Sequence, residues 1–168
     1  MFYISDTAGS VRPDAEVKFM IQGKWFSPGS DLSELLPVRS SVFSQGLDDL
    51  DSLSWNVLVY QDSVPVATGR IWWNEGAYFL GDICVLEAFR RQRLGDLVLR
   101  LLLYKAQSHA AKEVRLSCPR ELTGFFSRLG LRELSGPDAT VVEMMIPGES
   151  IDLDTCKNCP RSSCPDRK

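Results

Sequence analysis

The sequence predicts an α/β domain in which a mixed, mostly antiparallel sheet is flanked by helices. Two observations predict it. In the first half, apolar and polar residues alternate over short segments separated by turn residues, the signature of strands joined as hairpins. From Gly95 onward the spacing lengthens to that of a helix, and short strands alternate with helical stretches after it. The 168 residues are about one domain's worth of chain, since domains run ~100–150 residues. With 44% hydrophobic and 24% charged residues the chain is not wholly disordered.

The elements follow in order. Residues 1–15 hold Gly9 and Pro13 without periodicity and read as a lead-in, and residues 16–150 as the domain. Val17–Phe26 alternates as a half-buried strand. Ser27–Asp31 is a turn that can cap a helix, with Glu34 three residues after Asp31. Leu32, Leu35, Leu36, Arg39, Val42 and Phe43 keep helical spacing, and Pro37 inside that stretch is expected to kink or split it. The acidic run Asp48-Asp49-Leu50-Asp51 reads as a solvated loop.

Trp55–Tyr60 and Val64–Trp73 form a hairpin, and Tyr78–Leu86 adds a third strand to the meander. Leu94, Leu97, Val98, Leu101 and Leu102 trace a long helix to about Ala111. Val114–Cys118 is a strand and Arg120–Leu129 a helix closed by Gly130. Thr140–Ile146 is a last strand, with room for one more beside it.

Charge and composition exclude several function classes. Nineteen basic against 22 acidic residues give −3, so a general nucleic-acid surface is not expected. No apolar run reaches the ~18 residues of a membrane span, and the first ten residues lack a signal-peptide pattern, which points to the cytoplasm. His109, the single histidine, would have to carry any Ser-His-Asp triad, and near the end of the long helix it reads as a dipole partner.

One loop carries chemistry. Between the strand ending at Val85 and the helix beginning at about Gly95 lie Arg90, Arg91 and Arg93. A helix start presents unpaired N–H groups and a positive dipole end, where acidic residues would normally be preferred. Three arginines there fit the arrival of a polyanion, and Gly95 would let the backbone approach it closely.

These residues resemble a known pattern. The run Leu80–Leu103 is similar to the acyl-CoA-binding motif of the GNAT N-acetyltransferase superfamily, V-x-P-x-x-R-G-x-G-x-G followed by a Leu-rich helix. Arg90 stands at the motif's first Arg or Gln and Gly95 at its last Gly. Arg91 and Arg93 stand where the family often has Gly, and Glu87 or Ala88 replaces the usual Pro. Val114–Cys118 with Gly124–Leu131 resembles the family's later strand and F-Y-x-K-x-G-F signature. Pro37–Phe43 resembles an R-x-x-V-F helix of small bacterial members, and Pro65–Arg70 their G-x-P-V-A-x-G-R strand.

The resemblance implies the GNAT acyl-CoA N-acyltransferase fold and transfer of an acetyl group from acetyl-CoA to an amine, without a covalent enzyme intermediate. It implies that backbone groups around Cys84 and Val85 hold the pantetheine arm and polarise the thioester. It implies that Arg90, Arg91, Gln92, Arg93, Leu94, Gly95 and Asp96 hold the pyrophosphate, with Ser117 lining the cosubstrate from the later strand. A catalytically weak acyl-CoA-binding or regulatory protein is the alternative.

For a base the residues offer Asp82, a carboxylate inside an apolar strand that must face a cleft or pair with a cation such as Arg70. Residues 82, 84 and 86 share one strand face. Glu75 and Glu143 are rivals. Many family members place a Tyr acid where this chain has Phe126, leaving water, Tyr104 or Ser127 as proton sources. Cys84 and Cys118 read as small buried hydrophobes, and Trp72 and Trp73 point to opposite strand faces.

Residues 151–168 form a polar tail with Cys156, Cys159 and Cys164 in a C-x₂-C-x₄-C pattern. Zn²⁺ in closed sites takes four ligands. The fourth could come from His109, water or a second copy of the chain in a homodimer. The alternatives are incidental thiols or a reversible disulfide.

Overall fold

The computed structural model describes residues 19–153. Ten regular elements follow the predicted order: β1 (Ile21–Phe26), α1 (Leu36–Phe43), β2 (Trp55–Gln61), β3 (Val64–Asn74), β4 (Ala77–Val85), α2 (Leu94–Ser108), β5 (Glu113–Pro119), α3 (Thr123–Ser127), β6 (Arg132–Glu133) and β7 (Val141–Pro147). They make one seven-stranded sheet in the order β1-β2-β3-β4-β5-β7-β6. The first four strands are an antiparallel meander. The step from β4 to β5 is parallel, which requires a crossover, and α2 supplies it.

Alternation on the strands sorts the core onto two faces. On one, α2 buries Leu94, Val98, Leu99, Leu102, Leu103 and Ala106 against Val57, Val59, Ala67 and Ile71. Each fully buried Leu or Val there contributes ~1.5–3 kcal/mol. A Cβ at Gly69 would come within 2.7 Å of Val98 Cγ1 and 3.0 Å of Leu102 Cδ1, so only glycine lets the helix seat this closely. On the other face, Leu32, Leu35 and Val38 pack against Leu58 and Cys84.

Several boundaries differ from expectation for physical reasons. Pro37 neither kinks nor splits a helix: α1 begins at Leu36, so Pro37 sits in the first turn, where its missing N–H has no partner to lose. The described part of the first strand is Ile21–Phe26, and residues 17 and 18 lie outside the described residues with the 1–15 lead-in. The long helix runs Leu94–Ser108 and is capped at His109 rather than reaching Ala111. The expected helix over residues 120–129 is a 3₁₀ turn (Arg120–Leu122) followed by the five-residue α3, and Gly130 turns the chain at φ +94°.

The packed chain continues to Leu153, beyond residue 150. Ile151 is 5% exposed within the α2-side core, Gln107 Nε2 donates to its carbonyl at 3.3 Å, and Arg100 Nη1 donates to the Leu153 carbonyl at 3.3 Å. Ile151→Ala is expected to cost ~2–4 kcal/mol through lost burial and a cavity. A urea melt with an unchanged midpoint would show that this segment merely rests on the surface.

Candidate active site

The parallel pairing of β4 with β5 covers only Tyr78–Leu80 against Val114–Leu116. Beyond Leu80 the two strands part, so the β5-facing edge of residues 81–85 has no partner strand, while the other edge of β5 stays paired to β7. Unpaired strand edges are costly unless something hydrogen-bonds to them. Two cavities lie at the two ends of this split.

The first, about 460 Å³, is enclosed by Val85, the loop after β4 and the start of α2, with Phe125 and Arg128 across from them. Arg90, Arg91, Arg93, Arg100 and Arg128 line it against one acid, Asp96, which is ion-paired to Arg100 at 2.8 Å. Leu94 and Gly95 also line it; Gln92 does not, and faces a shallow groove beside Phe19 and Gln61 instead. Arg90 Nε donates to the Val85 carbonyl at 3.3 Å.

Arg91 and Arg93 adopt φ of +63° and +61°, the left-handed region that glycine enters freely. The loop thus keeps a glycine-type path without the glycines, at a cost of about 1 kcal/mol per residue. Arg93→Gly is therefore expected to raise stability by ~0.5–1 kcal/mol and to weaken anion binding by charge loss, more so at low salt. A lowered melting temperature would contradict that reading. Gly95 itself has no left-handed φ; a Cβ there would sit 3.5 Å from Phe125 and 3.7 Å from Val85, between the two cavity walls.

The second cavity, about 250 Å³, is bounded by Gly81–Ile83 of β4, Leu116–Pro119 of β5, Phe43, Leu122 and Phe126. Adjacent phenylalanines of α3 divide the two spaces: Phe125 walls the first and Phe126 the second, their rings 4.9 Å apart. Ser117 lines the second cavity rather than the loop. Cys84 lines neither; it is buried on the α1 side, and burial pushes its thiol up to about 12, so it is no thiolate nucleophile. Cys118 lines the second cavity, but its thiol is directed at Met144 Sδ, 3.8 Å away.

Asp82 is placed by a bulge. Thr68 pairs with Cys84 and Arg70 with Gly81, so Gly69 opposes two residues, Asp82 and Ile83, and Asp82 takes a φ of +48°. The carboxylate lies on the α1 side, 27% exposed, at the wall of the second cavity. It meets Arg70 Nε at 3.0 Å and Arg39 Nε at 3.6 Å, and neither N–H is aligned for a hydrogen bond. The pairing with Arg70 and the exposure to a cleft thus coexist.

Behind Asp82 stands a network that local sequence reading misses. The acidic run 48–51 is solvated only at Asp48 and Asp49. It forms a 3₁₀ turn (Asp49–Leu53) whose Asp51 is 5% exposed and accepts from Arg39 Nη1 at 2.6 Å. Arg39, 2% exposed, also donates to Asn56 Oδ1 at 2.7 Å. Arg70 grips Asp48 with both Nη atoms at 2.5 and 2.8 Å, and this hydrogen bonding holds the Asp48 carboxyl below its ordinary value. The available signal was Arg39 itself, a charge at an apolar helical position.

The other sequence candidates fall elsewhere. Glu75 and Glu143 line neither cavity, and Tyr104 and Ser127 do not either; the Ser127 hydroxyl donates to the Thr123 carbonyl. Phe126 is buried. Trp73 is exposed while Trp72 stacks on Phe79. His109 packs edge-on against Trp55 and Tyr78. Among the described residues no cluster of His, Cys, Asp and Glu could hold a metal, and no helix is long and apolar enough to cross a membrane. Cys156, Cys159 and Cys164 lie outside the described residues.

A meander, one parallel crossover and a split beside an arginine-lined helix start define an acyl-CoA-dependent acyltransferase architecture. Residues 23–131 match the family model described as the Acetyltransferase (GNAT) family, and the chain belongs to that family. It is 28% identical over 112 residues to the uncharacterized N-acetyltransferase YjcF of Bacillus subtilis strain 168, spanning 62% of this chain and 80% of that protein. An acyl-CoA N-acyltransferase from Pseudomonas aeruginosa superposes with TM-score 0.67 at 20% identity, over 75% of this chain and 99% of that one. Escherichia coli ElaA does so with TM-score 0.64 at 20% identity, over the same shares.

Proposed function

We propose that the protein transfers an acetyl group from acetyl-CoA to an amine of a small molecule or peptide, by direct attack in a ternary complex. The observation that carries this is that the arginine-lined cavity and the cavity at Asp82 lie at the two ends of the β4 edge that β5 leaves unpaired beyond Leu80. The phosphates of acetyl-CoA would meet the α2 start and its arginines, and the pantetheine arm would complete the unpaired strand edge. The thioester would then reach the second cavity. There the amine nitrogen attacks the carbonyl carbon, the ammonium proton passes to Asp82 directly or through water, and the C–S bond breaks.

The departing thiolate needs little help, since thiols ionise near ~8.5. The buried Phe126 is therefore tolerable where a Tyr is usual. Free, buried Cys84 and Cys118 agree with a reducing, cytoplasmic setting. Phe126 also supports a second reading, a catalytically weak acyl-CoA-binding protein. A free-thiol release assay with acetyl-CoA over an amine panel separates the two. Release with any amine supports the transferase, and saturable CoA binding with no release over the panel supports the second reading.

A further inference from the structure

The wall of the second cavity says what kind of amine it would take. Its apolar lining residues are Leu80, Gly81, Ile83, Leu116, Pro119, Phe126 and the exposed Phe43 and Leu122. Ser117 and Cys118 add little polarity, and Asp82 is the one carboxylate; no lysine, arginine or histidine lines the space. An apolar wall rejects a second charge, because a charged group taken out of water without a partner is costly.

The arginines behind Asp82 do not reverse the sign. Arg39 and Arg70 are joined by ion pairs to Asp48, Asp51 and Asp82, two positive formal charges against three negative. The assembly is left with one negative charge, and Asp82 is its member at the cavity wall. At about 250 Å³ the space equals roughly eight water volumes of ~30 Å³, part of which the thioester would fill.

Resting on the acyltransferase reading, we infer that the acceptor is a small primary amine with a single positive charge and an otherwise apolar body. Its ammonium meets Asp82 and its body lies against Phe126, Phe43 and Leu122. Polyamines, aminosugars with several ammonium groups and amino acids with a free carboxylate are disfavoured: the first two bring unpaired cations, the last a carboxylate facing Asp82.

The test is calorimetric titration of the full chain saturated with CoA, using 2-phenylethylamine, 2-phenylethanol, spermidine, phenylalanine and a phenylalanine-initiated tripeptide amide. The inference expects 2-phenylethylamine to bind at least about tenfold tighter than each of the others, ~1.4 kcal/mol. In Asp82→Asn its preference over 2-phenylethanol should collapse. Equal or tighter binding of spermidine, phenylalanine, the alcohol or the tripeptide to the wild-type protein overturns it, as does an unchanged preference in Asp82→Asn. Failure of acetyl transfer reads differently: the expected binding order without thiol release from acetyl-CoA supports the cavity's preference for a singly charged apolar amine and overturns the transferase reading on which its role as acceptor rests.

Discussion

Arg39→Met is expected to cost about 3 kcal/mol of folding stability, a large effect for one side chain outside the apolar core. Arg39 is among the most completely buried side chains, and its guanidinium spans Asp51 and Asn56. Methionine replaces the apolar stem without the guanidinium and leaves the buried Asp51 carboxylate with Arg70 Nη1 at 3.3 Å as its remaining cation. Breaking a buried pair by removing one partner costs ~3–5 kcal/mol because a charge is stranded; the surviving Arg70 sets the lower end. Arg39→Met combined with Asp51→Asn should recover at least half of the loss, since the stranded charge is gone. Equilibrium urea unfolding of the three proteins measures this. Independent, additive losses would mean the two residues are not coupled.

Asp82→Asn is expected to lower kcat/KM for the amine by ~10²–10⁴, the range for losing a positioned general base. The same variant should bind CoA with wild-type affinity, because Asp82 lies at the far cavity and not in the loop at the start of α2. Asparagine keeps the volume and an oxygen facing Arg70 but cannot accept the amine proton. Turnover reduced less than about tenfold, with CoA affinity intact, would make Asp82 a structural partner of Arg70 and nothing more.

The order of elements and the strand–loop–helix unit are legible in the sequence because both rest on local periodicity and on one dense loop. The glycine-like path of that loop is not locally legible: Arg91 and Arg93 hold left-handed backbone that their side chains disfavour. The Asp48–Asp51 run looks solvated in sequence because its partners come from elsewhere; Arg39 arrives from α1 and Arg70 from β3. Pro37 misleads for a simpler reason. A proline breaks a helix only where its N–H would be used, and Pro37 falls in the first turn of α1, just after a separate hydrogen-bonded turn at residues 32–36.

How far β4 and β5 part is also a tertiary outcome. Both strands are apparent in the sequence, but a parallel pairing that ends at Leu80 and Leu116, just before the bulge at Asp82, joins segments distant in the chain. The candidate site therefore divides. Its phosphate end follows from nearby residues, and its acceptor end from segments some 40 to 80 residues apart, Phe43, Asp82 and Leu122.

The most direct measurement is calorimetric titration of acetyl-CoA into the wild-type protein, Gly95→Ala and Gly95→Val. A methyl at residue 95 makes ordinary contacts with Phe125 and Val85, whereas the branched valine projects into the cavity between them. Saturable binding to the wild type, with affinity at least about tenfold weaker in Gly95→Val and the alanine variant between them, is the predicted result. Equal affinity in the wild type and Gly95→Val, or no binding to the wild type, would contradict the assignment of the α2 start as the acyl-CoA site.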